Sequence, residues 1–271
     1  MTFQRRVIAI TGAGSGIGRA LAVEMGKRGA HLSLSDIDEA GLNETAALLG
    51  ERNVTTTRVD VADREAVEAW AADTVRAHGK VDAIVNNAGV TVQETIADIS
   101  YEDFEWIVGI NLWGVVHGTK AFLPHLMQRN TGWVVNVSSV FGMIGFPGQG
   151  SYNATKFAVR GMTEALRWEL EETDVTVCSV HPGGIRTNIV RNGRMHSDPL
   201  GRVDPKDMAD QFEKMARTTP AEAARVIADG MAKKEPRILI GNDARAIDAI
   251  QRVAPRRYGS IMKRLADVFD V

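Results

Sequence analysis

The order of three short segments near the start constrains this chain more than anything else in it. An apolar, β-branched run, VIAIT (residues 7–11), passes directly into the glycine-rich TGAGSGIG (11–18), and a helical pattern follows over residues 16–27. A buried-strand pattern, a tight turn and a helix in that order make a βα unit. The glycines permit the turn and let backbone N–H groups come close to a ligand. The helix N-terminus adds partial positive charge, so Gly12, Ser15, Gly16, Ile17 and Gly18 make a candidate cradle for a dinucleotide pyrophosphate.

The same alternation continues. Further strand-like runs lie at 31–35, 54–59, 82–86, 133–139, 175–180 and 237–241. Helical patterns cover 62–78, with Asp63 as cap, 102–127 and 152–172. Seven such strands with helices between them predict a doubly wound α/β Rossmann fold, a seven-stranded parallel sheet with helices on both faces. Residues 1–271 carry no repeat, low-complexity tract or linker and are read as a single domain. The net charge of −2 gives no reason to expect a nucleic-acid partner. The single cysteine, Cys178, excludes an internal disulfide and sits in an apolar run as a small buried hydrophobe. No metal site is expected. The N-terminus lacks a signal-peptide pattern and no apolar stretch reaches membrane-span length, so the expected location is the cytoplasm.

Tyr152 and Lys156 stand four residues apart in SYNATK, and Ser139 precedes Tyr152 by thirteen. A free phenol titrates near pH ~10, too high for a base near neutrality. An ammonium one helical turn away favours the phenolate. Tyr152 is then suited to take a proton from an alcohol while hydride leaves for a cofactor, and to return it in reverse. A serine hydroxyl beside it would hold the substrate oxygen. Alternation along VVNVSS puts Ser138 and Ser139 on opposite faces, so only one of them faces the cofactor. Asp36 lies eighteen residues after Gly18, placed to accept from ribose hydroxyls and to repel a 2′-phosphate. Ala13, Ser15 and Ile37 bring no positive charge, and Arg19 reads as a surface or packing residue. NAD(H) is therefore expected over NADP(H). Asp36 also stands where it can cap a helix starting near Asp38, and both roles stay open.

These residues together resemble the classical short-chain dehydrogenase/reductase family over roughly residues 5–241. The resemblance rests on TGAGSGIG, Asp60-Val61, NNAG (86–89), Asn111, Ser139, Tyr152 with Lys156, and PGGIRT (182–187); Thr155 departs from the serine usual there. It implies Ser139, by its spacing, as the substrate-holding serine. It implies that Lys156 also holds the nicotinamide ribose and that Asn111 anchors a water passing protons from Lys156 to solvent. Asp60 and Val61 would flank the adenine, and Asn87, Ala88 and Gly89 would pass beneath the adenosine ribose. Pro182, Gly183, Ile185 and Thr187 would lie along the nicotinamide, with His181 a strand-end residue. Helices 102–127 and 152–172 would form a two-fold four-helix interface in a homodimer or homotetramer.

The substrate pocket is expected from Val140, Phe141, Met143, Phe146, Gln149, Val92, Ile189, Val190 and Met195, under a lid of residues 188–218. Most of these are apolar, which favours a hydrophobic secondary alcohol or ketone over a polyol. A C-terminal extension, 243–271, carries two amphipathic patterns, 243–253 and 258–269. Packing on the protein or on a neighbouring subunit is the favoured reading, ahead of a peripheral membrane contact. Two other functions are weighed: an NADP-linked carbonyl or acyl-carrier reductase, opposed by Asp36, and a non-catalytic nucleotide-binding regulator, opposed by the complete Asn111, Ser139, Tyr152, Lys156 set.

Overall fold

The computed structural model of the chain describes residues 3–50, 53–198, 204 and 207–268, with side chains as far as 264. Strands and helices alternate. β1 (Val7–Thr11), α1 (Gly16–Lys27), β2 (His31–Asp36), α2 (Glu39–Leu49), β3 (Val54–Arg58) and α3 (Arg64–His78) form the first half. β4 (Ala83–Asn86), a two-residue β5 (Val92–Gln93), α4 (Tyr101–Val108), α5 (Gly114–Gln128), β6 (Gly132–Val137) and α6 (Gly150–Glu169) follow. The rest is β7 (Val175–Pro182), β8 (Arg194–Met195), α7 (Met208–Met215), α8 (Pro220–Ala232), β9 (Arg237–Ile240), α9 (Asn242–Val253) and α10 (Tyr258–Val268).

Seven strands make one parallel sheet in the order β3-β2-β1-β4-β6-β7-β9, as the sequence predicts. Both faces are covered. Ile8 and Ile10 of β1 pack with Leu21 and Met25 of α1 and Ile227 of α8. Ala9, between them, points the other way, toward Trp70, Phe122 and Leu166 of α3, α5 and α6. Alternate residues of one strand thus enter two different cores, which is why the strands read as continuous apolar runs. The order in which successive strands are added reverses between β1 and β4, and a ligand crevice opens at the carboxyl ends of the strands at such a point.

At the opposite end of the sheet, Asp82 is wholly buried. It accepts from Val7 N (2.8 Å) and pairs with Arg6 (2.9 Å), Lys80 (2.7 Å) and Arg129 (3.0 Å), tying the starts of β1 and β4 to the end of α5.

The differences from the sequence reading are local. The helix expected over 102–127 is three segments, α4, a π-helical turn at Gly109–Trp113, and α5. Asn111 sits in the π turn with its amide bonded to the Val90 backbone, a tertiary contact that holds the irregular turn in place. The helix expected from residue 62 starts at Arg64, because Asp63 caps it by accepting from Ala66 N at 3.1 Å. The strand expected to reach Ser139 ends at Val137. Helix α8 opens with a capping box between Thr219 and Glu222 and proline at its first position.

Candidate active site

The carboxyl ends of β1, β4, β6 and β7 open into one cavity of about 2300 Å³. Its floor at β1 is the glycine loop. Gly12 and Gly16 have φ of +65° and +52°, a region that favours glycine. A Cβ on Gly18 would lie 2.0 Å from Gly12 O, so Gly18 serves close helix–strand packing, while Gly12, Ser15, Gly16 and Ile17 line the cavity. Helix α1 starts with no side-chain cap and no acidic residue in its first turn. Its N–H groups and the positive end of its dipole face the cavity without a competing anion, the arrangement a pyrophosphate needs.

Asp36 and Asp60 stand at the outer end. Asp36 accepts from Gly14 N (2.8 Å) and Asp38 N (3.0 Å), and Asp60 from Ala62 N (2.9 Å). Each carboxylate keeps further lone pairs for a ribose or adenine donor. The cap of α2 is Asp38, without a side-chain bond, so Asp36 holds the turn before the helix rather than the helix itself. Asn87 donates to Thr11 O (2.9 Å) and Gly12 O (3.2 Å), locking β4 to the glycine loop, and Ala88 and Gly89 continue the wall. Across the cavity, Pro182, Gly183, Ile185 and Thr187 line the end of β7, and the Thr187 methyl lies 3.3 Å from where a Gly16 Cβ would be.

Ser139, Tyr152 and Lys156 meet in the middle. Tyr152 and Lys156 lie one turn apart on α6, with Nζ 5.6 Å from the phenol ring centroid and donating to Val137 O at 3.0 Å. Burial pushes the phenol up to about 12, opposed by a hydrogen bond with Ser139. Burial pushes the ammonium down to about 8. For both groups, burial is the largest influence in the protein by itself. Ser138 donates to Lys156 O at 2.8 Å and so anchors α6 to β6, which leaves Ser139 facing Tyr152.

Asn111 is fully buried, accepting from Val90 N (2.8 Å) and donating to Val90 O (2.9 Å) and Thr155 Oγ1 (3.3 Å). A Cβ on Gly89 would lie 3.3 Å from Asn111 Oδ1 and 3.4 Å from Lys156 Nζ, so these two groups approach each other across a glycine. His181 is buried, held by Ser139 O (3.0 Å) and Ser179 Oγ (3.2 Å), and burial pushes it down to about 4. A carbonyl partner requires that Nδ1 carry its proton, so His181 is a neutral brace for the Ser139 backbone.

Beyond Tyr152 the cavity turns apolar. Val140, Phe146, Gln149, Val190 and Met195 line it. Phe146 stacks on Phe141 (5.2 Å), which meets Tyr152 edge-on (6.3 Å). Met143 does not line it: the side chain turns under the wall against Val140 and Ala244, and Arg237 reaches its sulfur at 2.6 Å. Residue 143 follows a short 3-10 turn, Val140–Gly142, which rotates it away from its neighbours. Val92 is likewise core.

Residues 188–198 are pinned. β8 pairs with β5, Asp103 of α4 holds Arg194 and His196 (2.7 Å), and the Arg194 guanidinium lies 4.0 Å over Trp106. Part of the expected lid, 199–203 and 205–206, lies outside the described residues, as do residues 269–271 of the expected extension. Sequence reasoning missed that the extension reaches the site. Ile247, Tyr258 and Met262 line the cavity, and the Tyr258 hydroxyl accepts from Gly145 N at 3.1 Å. Helical periodicity marked their faces as apolar but not what those faces meet.

A doubly wound sheet with a glycine cradle at its switch point and Ser, Tyr and Lys beside it defines a nucleotide-dependent oxidoreductase. The family model for short chain dehydrogenases matches residues 6–198, and the chain belongs to that family. It is 45% identical over 264 residues to the candidate oxidoreductase SadH of Mycobacterium tuberculosis, covering 95% of this chain and 94% of that one. It is 36% identical over 215 residues to levodione reductase of Leifsonia aquatica, covering 78% and 79% of the two chains. A short-chain dehydrogenase/reductase from Burkholderia phymatum, solved in complex with NAD, superposes with a TM-score of 0.83 at 30% identity, covering 97% and 96%. Members of this family bind a nicotinamide cofactor and act on small molecules. Among the described residues, no helix is long and apolar enough to cross a membrane.

Proposed function

We propose that the protein interconverts a hydrophobic secondary alcohol and its ketone with NAD(H). The observation that carries this reading is the Ser139, Tyr152, Lys156 cluster, placed between a bare helix N-terminus and an apolar chamber. The nicotinamide cofactor, when bound, supplies the hydride acceptor or donor. Gly12, Ser15, Gly16 and Ile17 would hold its pyrophosphate, Asp36 the adenosine ribose, Asp60 and Val61 the adenine, and Ile185 and Thr187 the nicotinamide end. Ser139 holds the substrate oxygen by a hydrogen bond. Tyr152 Oη takes or returns the proton on that oxygen, and Lys156 stabilises the phenolate so formed. Asn111, behind Gly89, would order the path by which Lys156 recovers a proton.

The chamber supports the substrate class. Phe141, Phe146, Val190, Met195, Ile247 and Met262 offer apolar surface where a polyol would need partners. A homodimer or homotetramer completes the reading, because Trp113 and Trp168 are 53% and 76% exposed on the two helical segments expected at the interface. The test is turnover of a graded panel of secondary alcohols, from short polyols to steroid-sized hydroxyls, with NAD⁺ and NADP⁺ in parallel and Tyr152→Phe as blank. NAD⁺-linked oxidation of the apolar members, absent in the blank, supports the reading. Turnover of polyols alone overturns the substrate class.

A further inference from the structure

One residue at the adenosine end, Gly14, is held through its two backbone polar groups by side chains of opposite charge. The N–H of Gly14 donates to Asp36 at 2.8 Å, and its carbonyl accepts from Arg19, through Nε at 3.0 Å and through Nη2. Arg19 and Asp36 are therefore separated by a single residue, and both line the cavity. A phosphate ester on a ribose hydroxyl held by Asp36 would come beside Arg19. Among the described lining residues there, Arg19 is the cation, against Asp36, Asp38, Glu44 and Asp60. Whether Arg19 is available to a phosphate depends on its remaining partners. Its Nη2 also reaches Gly41 O (3.3 Å) and pairs with Glu44 Oε2 of α2 at 2.7 Å.

We propose that Glu44 is a positioning residue that sets the preference between the two nicotinamide cofactors, by occupying the Arg19 guanidinium that a 2′-phosphate would otherwise recruit. The proposal rests on the NAD(H) reading of this end of the site. Asp36 repels the extra phosphate directly. Glu44 acts one step removed, keeping the local charge negative and the one cation engaged. The Glu44 side chain is 66% exposed, so its substitution leaves no buried group unpaired. A charge-assisted contact to phosphate is stronger than a solvated surface ion pair, so a released Arg19 would turn to the phosphate.

The test is calorimetric titration of the purified protein with NAD⁺ and with NADP⁺, without substrate. In Glu44→Gln the NAD⁺ affinity is expected to stay within about twofold and the NADP⁺ affinity to rise about fivefold, the gain shrinking with added salt. The double variant Arg19→Met, Glu44→Gln is expected to lose that gain. Equal changes for both cofactors in Glu44→Gln would overturn the proposal, since a merely structural pair between α1 and α2 moves both alike. A gain that survives in the double variant would overturn it too, because Arg19 would then be no part of the effect. Tighter NADP⁺ than NAD⁺ binding by the unsubstituted protein would overturn the NAD(H) reading alone; the ratio shift in Glu44→Gln is read independently of it.

Discussion

Tyr258, on the last helix, accepts a hydrogen bond through its hydroxyl from the backbone N–H of Gly145, seven residues before the candidate catalytic Tyr152. The bond ties α10 to the loop that carries Phe146 and leads into α6. Tyr258→Phe removes that acceptor and keeps the ring. A single exposed hydrogen bond contributes about 0.5–1.5 kcal/mol, so the melting temperature should change little. The KM for a bulky apolar ketone should rise about threefold, while kcat holds. An unchanged KM would show that the bond does not shape the chamber.

Tyr152→Phe should lower kcat by at least about a hundredfold, because proton transfer loses its carrier, with cofactor affinity nearly unchanged. Single-turnover kinetics and a parallel binding titration would separate the two. Retained turnover would move the acid/base role elsewhere.

Lys156 links the site to stability. Burial lowers its folded pKa to about 8, below its unfolded value, so between those two values the unfolded chain binds more protons and stability rises with pH. Below pH ~8 the buried ammonium is carried in full, at a cost on the order of 3 kcal/mol. Lys156→Met should therefore unfold at higher denaturant at pH 7 than the unsubstituted protein, and its stability should not rise over that alkaline window. Urea titrations from pH 7 to 11 check this; a less stable variant at pH 7 contradicts it.

Asp82 has the opposite sign. Burial pushes its carboxyl up, but hydrogen bonds from Lys80, Val7 N, Arg6 and Arg129 together outweigh it, leaving the pKa below its ordinary value. The stability it contributes is present above the unfolded carboxylate pKa and is lost as pH falls through the lower, folded one. Asp82→Asn should cost about 3 kcal/mol at pH 7, by leaving three cations without their carboxylate, and the gap should close in acid. A constant gap between pH 7 and 2 would refute the assignment.

Met143 and Phe146, three residues apart, should behave differently. Met143→Ala opens a hole in the packing beneath α9 and should cost about 2–4 kcal/mol with little change in substrate preference. Phe146→Ala, on a half-exposed ring in the cavity wall, should cost little stability and weaken selection of apolar substrates. Thermal melts paired with the alcohol panel tell them apart.

The seven strands, the glycine turn and the Tyr152–Lys156 pair were legible in the sequence because each is a local pattern: apolar runs, glycines between strand and helix, and a spacing of one helical turn. Ser139 could be preferred over Ser138 only through a resemblance. The structure gives the physical reason, since the Ser138 hydroxyl is taken by the Lys156 carbonyl on another element. The π turn at Asn111, the withdrawal of Met143, the arrival of Tyr258 at Gly145 and the pairing of Arg19 with Glu44 left no such local pattern. Each is a contact between residues distant in sequence or a rotation within one irregular turn. Periodicity reports which face of an element is apolar; only the packed sheet and its helices decide what that face meets.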